Sequence, residues 1–94
     1  MKVSNMTNEK GRPVANQFIL FTPEATYFKS YDAVVVKTVN APGGRRVTLD
    51  VNFWDLSKTT RKYRNLFLGE TAEVTRKKVE SGEYELADLN EEEL

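Results

Sequence analysis

The 94-residue sequence contains neither cysteine nor histidine. Without cysteine no disulfide can form, so the chain lacks the support that holds many small secreted domains together. The absence of both residue types also removes the commonest general base, the thiol nucleophile and nearly all zinc and iron–sulfur sites. We therefore expect neither a cofactor nor a bound metal.

Long apolar runs are missing as well. The longest, FILF and AVVV, are far too short to span a bilayer, and the polar start MKVSNMTNEKGRP lacks the apolar core of a signal peptide. Hydrophobic residues still make up 39% of the chain, which is enough for one small core. These features predict a single cytoplasmic domain that makes no membrane contact.

The charges cancel overall but are unevenly distributed along the chain. Residues 45–79 carry nine basic and four acidic side chains, whereas residues 80–94 carry seven acidic and no basic ones. This asymmetry is typical of a solvated basic face with a solubilising acidic end, and also of a nucleic-acid-binding patch. The charge pattern alone leaves both interpretations open.

The first half of the chain shows the apolar pattern of β-strands. Strands are predicted at 14–22, 26–31, 33–39 and 45–51, with Pro/Gly-containing turns that favour a four-stranded antiparallel meander. In the last of these strands, alternation places Val47, Leu49 and Val51 inside and Asp50 outside. Residues 1–13 are expected to form a flexible arm, because breakers precede the first apolar run.

After residue 51 the apolar period changes to that of a helix. Leu56, Thr60, Tyr63 and Phe67 are spaced by four, three and four residues, which predicts one buried helical stripe. Asp55 or Ser57 is expected to cap this helix, and Gly69 to end it.

A second helix is predicted over 71–81, with Thr71 as its N-cap, followed by a strand over 83–89. The predicted order is therefore β-β-β-β-α-α-β. It describes a single α+β domain over residues 14–90, with both helices packed on one face of the sheet. Residues 91–94 form the predicted acidic tail.

Carboxylates offer the remaining route to enzymatic chemistry, because no serine lies in a nucleophile motif and the glycine-rich APGGRR lacks a phosphate-loop ending. Asp32, Asp50 and Asp55 could in principle converge near Trp54 to hold a hard metal or to act as acid and base. Their spacing is not diagnostic, and structural roles explain them more simply. We expect a protein that is not an enzyme.

Basic residues interleaved with aromatic ones form the candidate interaction surface. One interpretation is nucleic-acid binding, in which cations follow the phosphates and exposed aromatics such as Tyr27, Tyr31 and Trp54 stack on bases. No RNP, KH or zinc-finger signature accompanies the pattern. The candidate surface consists of Arg45, Arg46, Trp54, Lys58, Arg61, Lys62 and Arg64.

Protein binding is the favoured interpretation. Aromatic and arginine side chains dominate binding energy at protein interfaces, and the edge strands of a meander can pair with a partner. Trp54, Arg61, Lys62 and Arg64 are the residues expected to contribute most. The acidic C-terminus is a possible second contact that would imitate nucleic acid by charge.

Several segments resemble one known family. They are NQF (16–18), YFKSY (27–31), VTLD (47–50), WDLSKTTRKYRNLFLGE (54–70), TRKKVESGEYEL (75–86) and LN (89–90). Together they are similar to an uncharacterised family, a domain of unknown function, found in small proteins of bacteriophages and other mobile elements. The resemblance covers about residues 14–90 and assigns no role to any residue. It implies an accessory protein that acts inside a bacterium by binding a host or phage protein.

Overall fold

The computed structural model describes residues 1–91 as a six-stranded sheet and two helices. The strands follow one another across the sheet in chain order. The element bounds are β1 Lys2–Thr7, β2 Pro13–Phe21, β3 Thr26–Ser30, β4 Ala33–Ala41, β5 Gly44–Asp50, α1 Lys58–Leu68, α2 Ala72–Glu80 and β6 Glu85–Ala87. The predicted acidic tail at 91–94 lies almost wholly outside the described residues.

The meander contains five strands, so the prediction of four was wrong. The additional strand, β1, lies within the segment that was expected to form an arm, and it pairs antiparallel with β2 from Lys2↔Phe21 to Thr7↔Pro13. Its side chains are mostly exposed, so the apolar alternation that marks a strand in the sequence is weak here. β1 is a strand because its backbone pairs with β2. The pattern of hydrophobic residues in the sequence does not reveal this pairing.

The predicted returning strand is present, but it is shorter than expected and pairs in parallel. β6 runs alongside β5 from Thr48↔Glu85 to Asp50↔Ala87. A parallel neighbour requires a crossover connection, and the two helices provide it. The α+β class and the order of helices before a final strand are therefore confirmed.

Both helices begin and end as their local signals predict. Ser57 accepts a hydrogen bond from the Thr60 backbone N–H at the start of α1, and Gly69 ends that helix in the left-handed conformation at φ 71°. Thr71 caps α2 by accepting from the Val74 N–H. The cap positions are local properties of the chain, which explains why the sequence locates them.

The core lies between the sheet and the helices. Phe28 of β3 is fully buried and stacks on Phe67 of α1, with ring centroids 5.8 Å apart. The remaining core residues are drawn from both layers. They are Val35, Val36, Val47, Leu49, Tyr63, Leu68 and Tyr84.

Three predictions of whether a side chain is buried or exposed were wrong. Asp50, predicted to face solvent, is fully buried, whereas Val51 is 48% exposed because β5 ends at residue 50. Leu56 was assigned to the buried stripe but is 66% exposed, because it precedes the N-cap and does not belong to the helix.

Neither helix within residues 1–91 has the length and apolarity that crossing a membrane requires.

Candidate binding surface

The seven predicted surface residues do not form one continuous basic face. Arg45 and Arg46 lie on β5, whereas the other five lie in or just before α1. Their exposures differ widely, and most of their charged groups already contact other parts of the chain. Each group is therefore described by its own contacts.

Arg64 is an interior residue, so its prediction as a surface contact was wrong. Its side chain is fully buried, and Nη1 donates to the Trp54 carbonyl at 2.6 Å while Nη2 donates to Asn65 Oδ1 at 2.9 Å. Its guanidinium also lies over the Trp54 ring, 5.5 Å from the centroid. Burial lowers the pKa of Arg64, although Asp55 opposes that shift. Arg64 thus fixes the segment before α1 to the helix.

Asp55 is the shared partner of three arginines. Its carboxylate lies 3.4 Å from Arg64 Nη1, 3.4 Å from Arg76 Nε and 3.8 Å from Arg61 Nε. Asp55 and Ser57 were the two candidates for the helix cap, and Ser57 takes that position. Because one carboxylate meets three guanidinium groups, this cluster retains an excess of positive charge.

The two arginines of β5 have separate roles. Arg45 donates to the Leu68 carbonyl at 2.9 Å, which satisfies an acceptor at the end of α1. Arg46 pairs with Glu85 of β6 at 3.3 Å, and both side chains are mainly exposed. Neither arginine is brought next to the cations at the start of α1.

Lys58 and Lys62 are the most accessible cations of the predicted set on α1. Lys62 pairs with Glu9 of the β1–β2 turn at 3.4 Å, and both of these side chains are mainly exposed. Among residues 1–91, no carboxylate forms an ion pair with Lys58. On α1, these two lysines and Arg61 are the predicted surface residues that solvent can reach.

The three predicted stacking aromatics also differ in accessibility. Trp54 is half-buried and packs against the core, and Tyr27 is half-buried in β3. Tyr31, in the turn between β3 and β4, is 52% exposed. Only Tyr31 presents a large part of its ring to solvent.

Asp50 and Asp55 are bonded to different sets of donors. Oδ2 accepts from the backbone N–H groups of Asn52 and Phe53, both at 3.0 Å. Oδ1 accepts from the Leu89 N–H at 2.8 Å and from Asn90 Nδ2 at 3.0 Å. Within residues 1–91, no group of three or more potential metal-ligating side chains occurs. Both aspartates are thus accounted for by internal contacts.

A second polar cluster centres on Glu70, which the sequence pattern did not indicate. The Glu70 carboxylate accepts hydrogen bonds from Lys78 Nζ at 2.5 Å, from Thr75 Oγ1 at 2.9 Å and from the Tyr84 hydroxyl. Burial raises the pKa of Glu70, but these hydrogen bonds outweigh burial and leave it lowered. The hydrogen bond with Glu70 raises the pKa of Lys78, and burial followed by the same carboxylate raises the pKa of Tyr84. The cluster ties α1, α2 and the approach to β6 together.

A cavity of about 640 Å³ opens beside the start of α1. Its lining is mainly apolar and includes Tyr31, Leu56 and Lys58, together with the buried hydroxyls of Ser30 and Thr60. Those two hydroxyl oxygens lie 2.9 Å apart and hydrogen-bond each other. The sequence signal missed this site because Leu56 was assigned to the core and Tyr31 to nucleic-acid stacking.

A longer groove of about 760 Å³ continues along α1 from the same lysine. Lys58, Arg61, Lys62 and Leu66 of α1 line it, together with Glu9 of the β1–β2 turn. Leu66 is 59% exposed. The cavity and the groove share Lys58 and together follow the outer side of α1.

Comparison with known proteins places the chain in a family. The family model described as "Family of unknown function (DUF8033)" matches residues 1–83, and the chain belongs to this family. The matched range includes β1, which the sequence resemblance starting at residue 14 left out. No curated protein and no solved structure matches the chain.

Proposed function

We propose that this member of the DUF8033 family is a non-enzymatic accessory protein of a bacteriophage or other mobile element, and that it binds a host or phage protein. The phage context rests on the motif resemblance around residues 54–70. One observation carries the binding role: Tyr31 and Leu56, which are 52% and 66% exposed, line the same cavity of about 640 Å³. We name this site the Tyr31–Leu56 cavity.

The cavity has the properties of an interface centre. Its volume lies within the range of about 300–1,000 Å³ found for small-molecule pockets, which leaves room for a partner's side chains. Tyrosine is one of the three side chains, with tryptophan and arginine, that are enriched among the residues contributing most of the energy of protein interfaces. The lining leaves apolar surface in water, and a partner's side chain would remove that surface from solvent.

The backbone at Tyr31 also supports a functional role. Its φ is 57°, a left-handed conformation that costs a non-glycine residue about 1–2 kcal/mol. A glycine at this turn would avoid that cost but would remove the ring from the cavity. Strained non-glycine residues of this kind are concentrated at functional sites.

Protein is favoured over nucleic acid because of how the cations are used. Arg64 is buried, Arg45 caps α1, and Arg61 and Arg76 share Asp55. A surface that follows a phosphate backbone needs cations that are free to pair with it. The exposed apolar side chains of the cavity give a protein partner contacts that phosphates cannot use.

The test is capture of a stoichiometric partner from host lysate on the immobilised full chain, with and without nuclease. Tyr31→Ser and Leu56→Ser are each expected to lower the recovered partner at least about tenfold, as removal of a hot-spot side chain does. Val3→Ser is the matched control, because Val3 is 56% exposed on β1 and is not among the residues that line the cavity. Its recovery should equal that of the unaltered chain.

Two results would contradict the proposal. One is recovery that disappears with nuclease, which would assign the binding to nucleic acid. The other is recovery that all three serine variants leave unchanged, which would move the interface away from this cavity. Thermal unfolding of each variant checks that the fold is retained.

A further inference from the structure

Two exposed leucines, one just before α1 and one within it, have basic residues between them in the sequence. Leu56 lies in the Tyr31–Leu56 cavity at the start of the helix, and Leu66 lies in the groove that continues from Lys58. From Lys58 to Leu66 the helix rises on the order of 12 Å, and Leu56 lies two residues before Lys58. Both leucines are more than half exposed, so neither stabilises the core of the chain itself.

The groove between these leucines has an excess of positive charge. Lys58, Arg61 and Lys62 line it, and the two carboxylates in its wall are Glu9 and Glu70. The Glu70 side chain is only 7% exposed and is already bonded to Lys78. Glu9 pairs with Lys62, but both side chains are more than half exposed, and exposed pairs of this kind are weak. An incoming carboxylate can therefore compete for Lys62 at little cost.

We infer that the partner contributes one acidic segment that lies along α1 and inserts an apolar side chain near each end, one beside Leu56 and the other beside Leu66. This inference deepens the proposed function and rests on it. The acidic residues of the segment lie between its two apolar anchors, opposite Lys58 and Lys62. Asp32 in the wall of the first cavity keeps the acidic part of the segment on the groove side of Lys58.

The spacing also limits the form of the segment. A helix covers on the order of 12 Å with about eight residues, whereas a strand covers it with about four. Amphipathic helices in grooves use apolar anchors at helical spacing, and opposite charges steer the encounter and fix its direction. A helical segment with anchors eleven residues apart, about three turns, presents both anchors on one face and spans on the order of 16 Å.

The probe is a fluorescein-labelled, capped peptide of fourteen residues, on the order of four helical turns. It has leucine at its second and thirteenth positions, glutamate at positions 5, 6 and 9 on the same helical face, and alanine elsewhere. A matched peptide replaces every glutamate with glutamine. Binding is followed by fluorescence anisotropy at low and moderate salt, and the contact residues by the shifts of backbone amide signals of the full ¹⁵N-labelled chain.

The expected result is that amide signals near both Leu56 and Leu66 shift with the glutamate peptide. Lys58→Glu combined with Lys62→Glu should weaken binding of that peptide at least about tenfold. The same double change should alter the affinity for the glutamine peptide by less than about twofold. Lys2→Glu, an exposed charge reversal on β1, is the control and should change neither. Leu66→Ser should weaken the two-leucine peptide but not a version that lacks the second leucine.

Three outcomes overturn the inference. They are equal affinity for the glutamate and glutamine peptides, shifts confined to one end of α1, and a thymidine oligonucleotide that shifts the same signals more strongly than the peptide. The proposed function and this inference are tested by different results. If lysate capture still depends on Tyr31 and Leu56 while the acidic peptide does not bind, the cavity remains the interface and only the acidic segment is excluded.

Discussion

Asn90 and Asp50 are joined directly, with Asn90 Nδ2 donating to Asp50 Oδ1 at 3.0 Å. The same amide group also reaches β4, where Nδ2 donates to the Val34 carbonyl at 3.0 Å and Oδ1 accepts from the Val34 N–H at 2.8 Å. A single side chain thus makes with Val34 the pair of bonds that a neighbouring strand would make. It does so beyond the end of β5, where no further β5 residue is paired with β4.

Removal of this amide should loosen the end of the sheet. Asn90→Ala takes away the partners of the Val34 backbone groups and one donor to the buried Asp50 carboxylate. We expect the free energy of unfolding to fall by about 1–3 kcal/mol in urea denaturation. The Val34 N–H should also exchange with solvent faster, as amide hydrogen exchange will measure. Asn40→Ala, at an exposed site of β4, is the control and should change neither quantity.

Arg64→Lys should destabilise the chain because lysine cannot reproduce the forked contacts of arginine. Arg64 reaches the Trp54 carbonyl and Asn65 Oδ1 with different nitrogens, whereas a lysine offers one ammonium group. We expect a loss of about 2–4 kcal/mol in urea denaturation, since buried acceptors lose their donors. Arg61→Lys, which alters an arginine that solvent can reach, should cost less than about 1 kcal/mol. If a variant of Arg64 kept full stability but lost partner binding, Arg64 would be a contact with the partner and not an interior residue that stabilises the fold.

The Glu70 cluster makes stability depend on pH at both extremes. Because the folded chain lowers the pKa of Glu70, its carboxylate stabilises the fold above the ordinary value of 4.5, and this contribution is lost as pH falls through the lowered value. The raised pKa values of Lys78 and Tyr84 act in the other direction. Their contribution is complete below their ordinary values of 10.5 and 10.0, and is lost as pH rises through the raised ones.

Glu70→Gln should therefore remove the part of the stability that is lost at acid pH. The difference in unfolding free energy between the unaltered chain and this variant should be constant near neutral pH and should shrink as pH falls below about 4.5. Urea denaturation at a series of pH values between 3 and 7 measures it. Glu73→Gln is the control, because Glu73 forms only an exposed pair with Lys77. A difference that stays the same down to the lowest pH would exclude Glu70 as the titrating group.

Local interactions explain what the sequence predicted correctly. Ser57, Thr71 and Gly69 act within one helical turn of their own positions, so their roles as caps and stop follow from residue type and spacing. The buried position of Tyr63 follows likewise from helical periodicity. The α+β class, the helix pair and a final strand were predictable for the same reason.

The position of a charged side chain follows less directly from the sequence. Arg64 lies three residues after Arg61 on the same helix, yet one is buried and the other is reachable by solvent. The Trp54 carbonyl and ring, ten residues earlier in the chain, account for that difference. Periodicity counts apolar residues and does not detect an acceptor that can satisfy a buried guanidinium.

The sequence by itself determined the local elements of this protein: where its helices start and stop, and which strands carry apolar alternation. Only the tertiary structure decided that Lys2–Thr7 is a strand, that Asp50 is buried against Asn90, and that Tyr31 and Leu56 line one cavity. The reason is the range of the interactions. Caps and periodicity act over a few residues, whereas strand pairing, buried hydrogen bonds and shared cavities join groups that are distant along the chain.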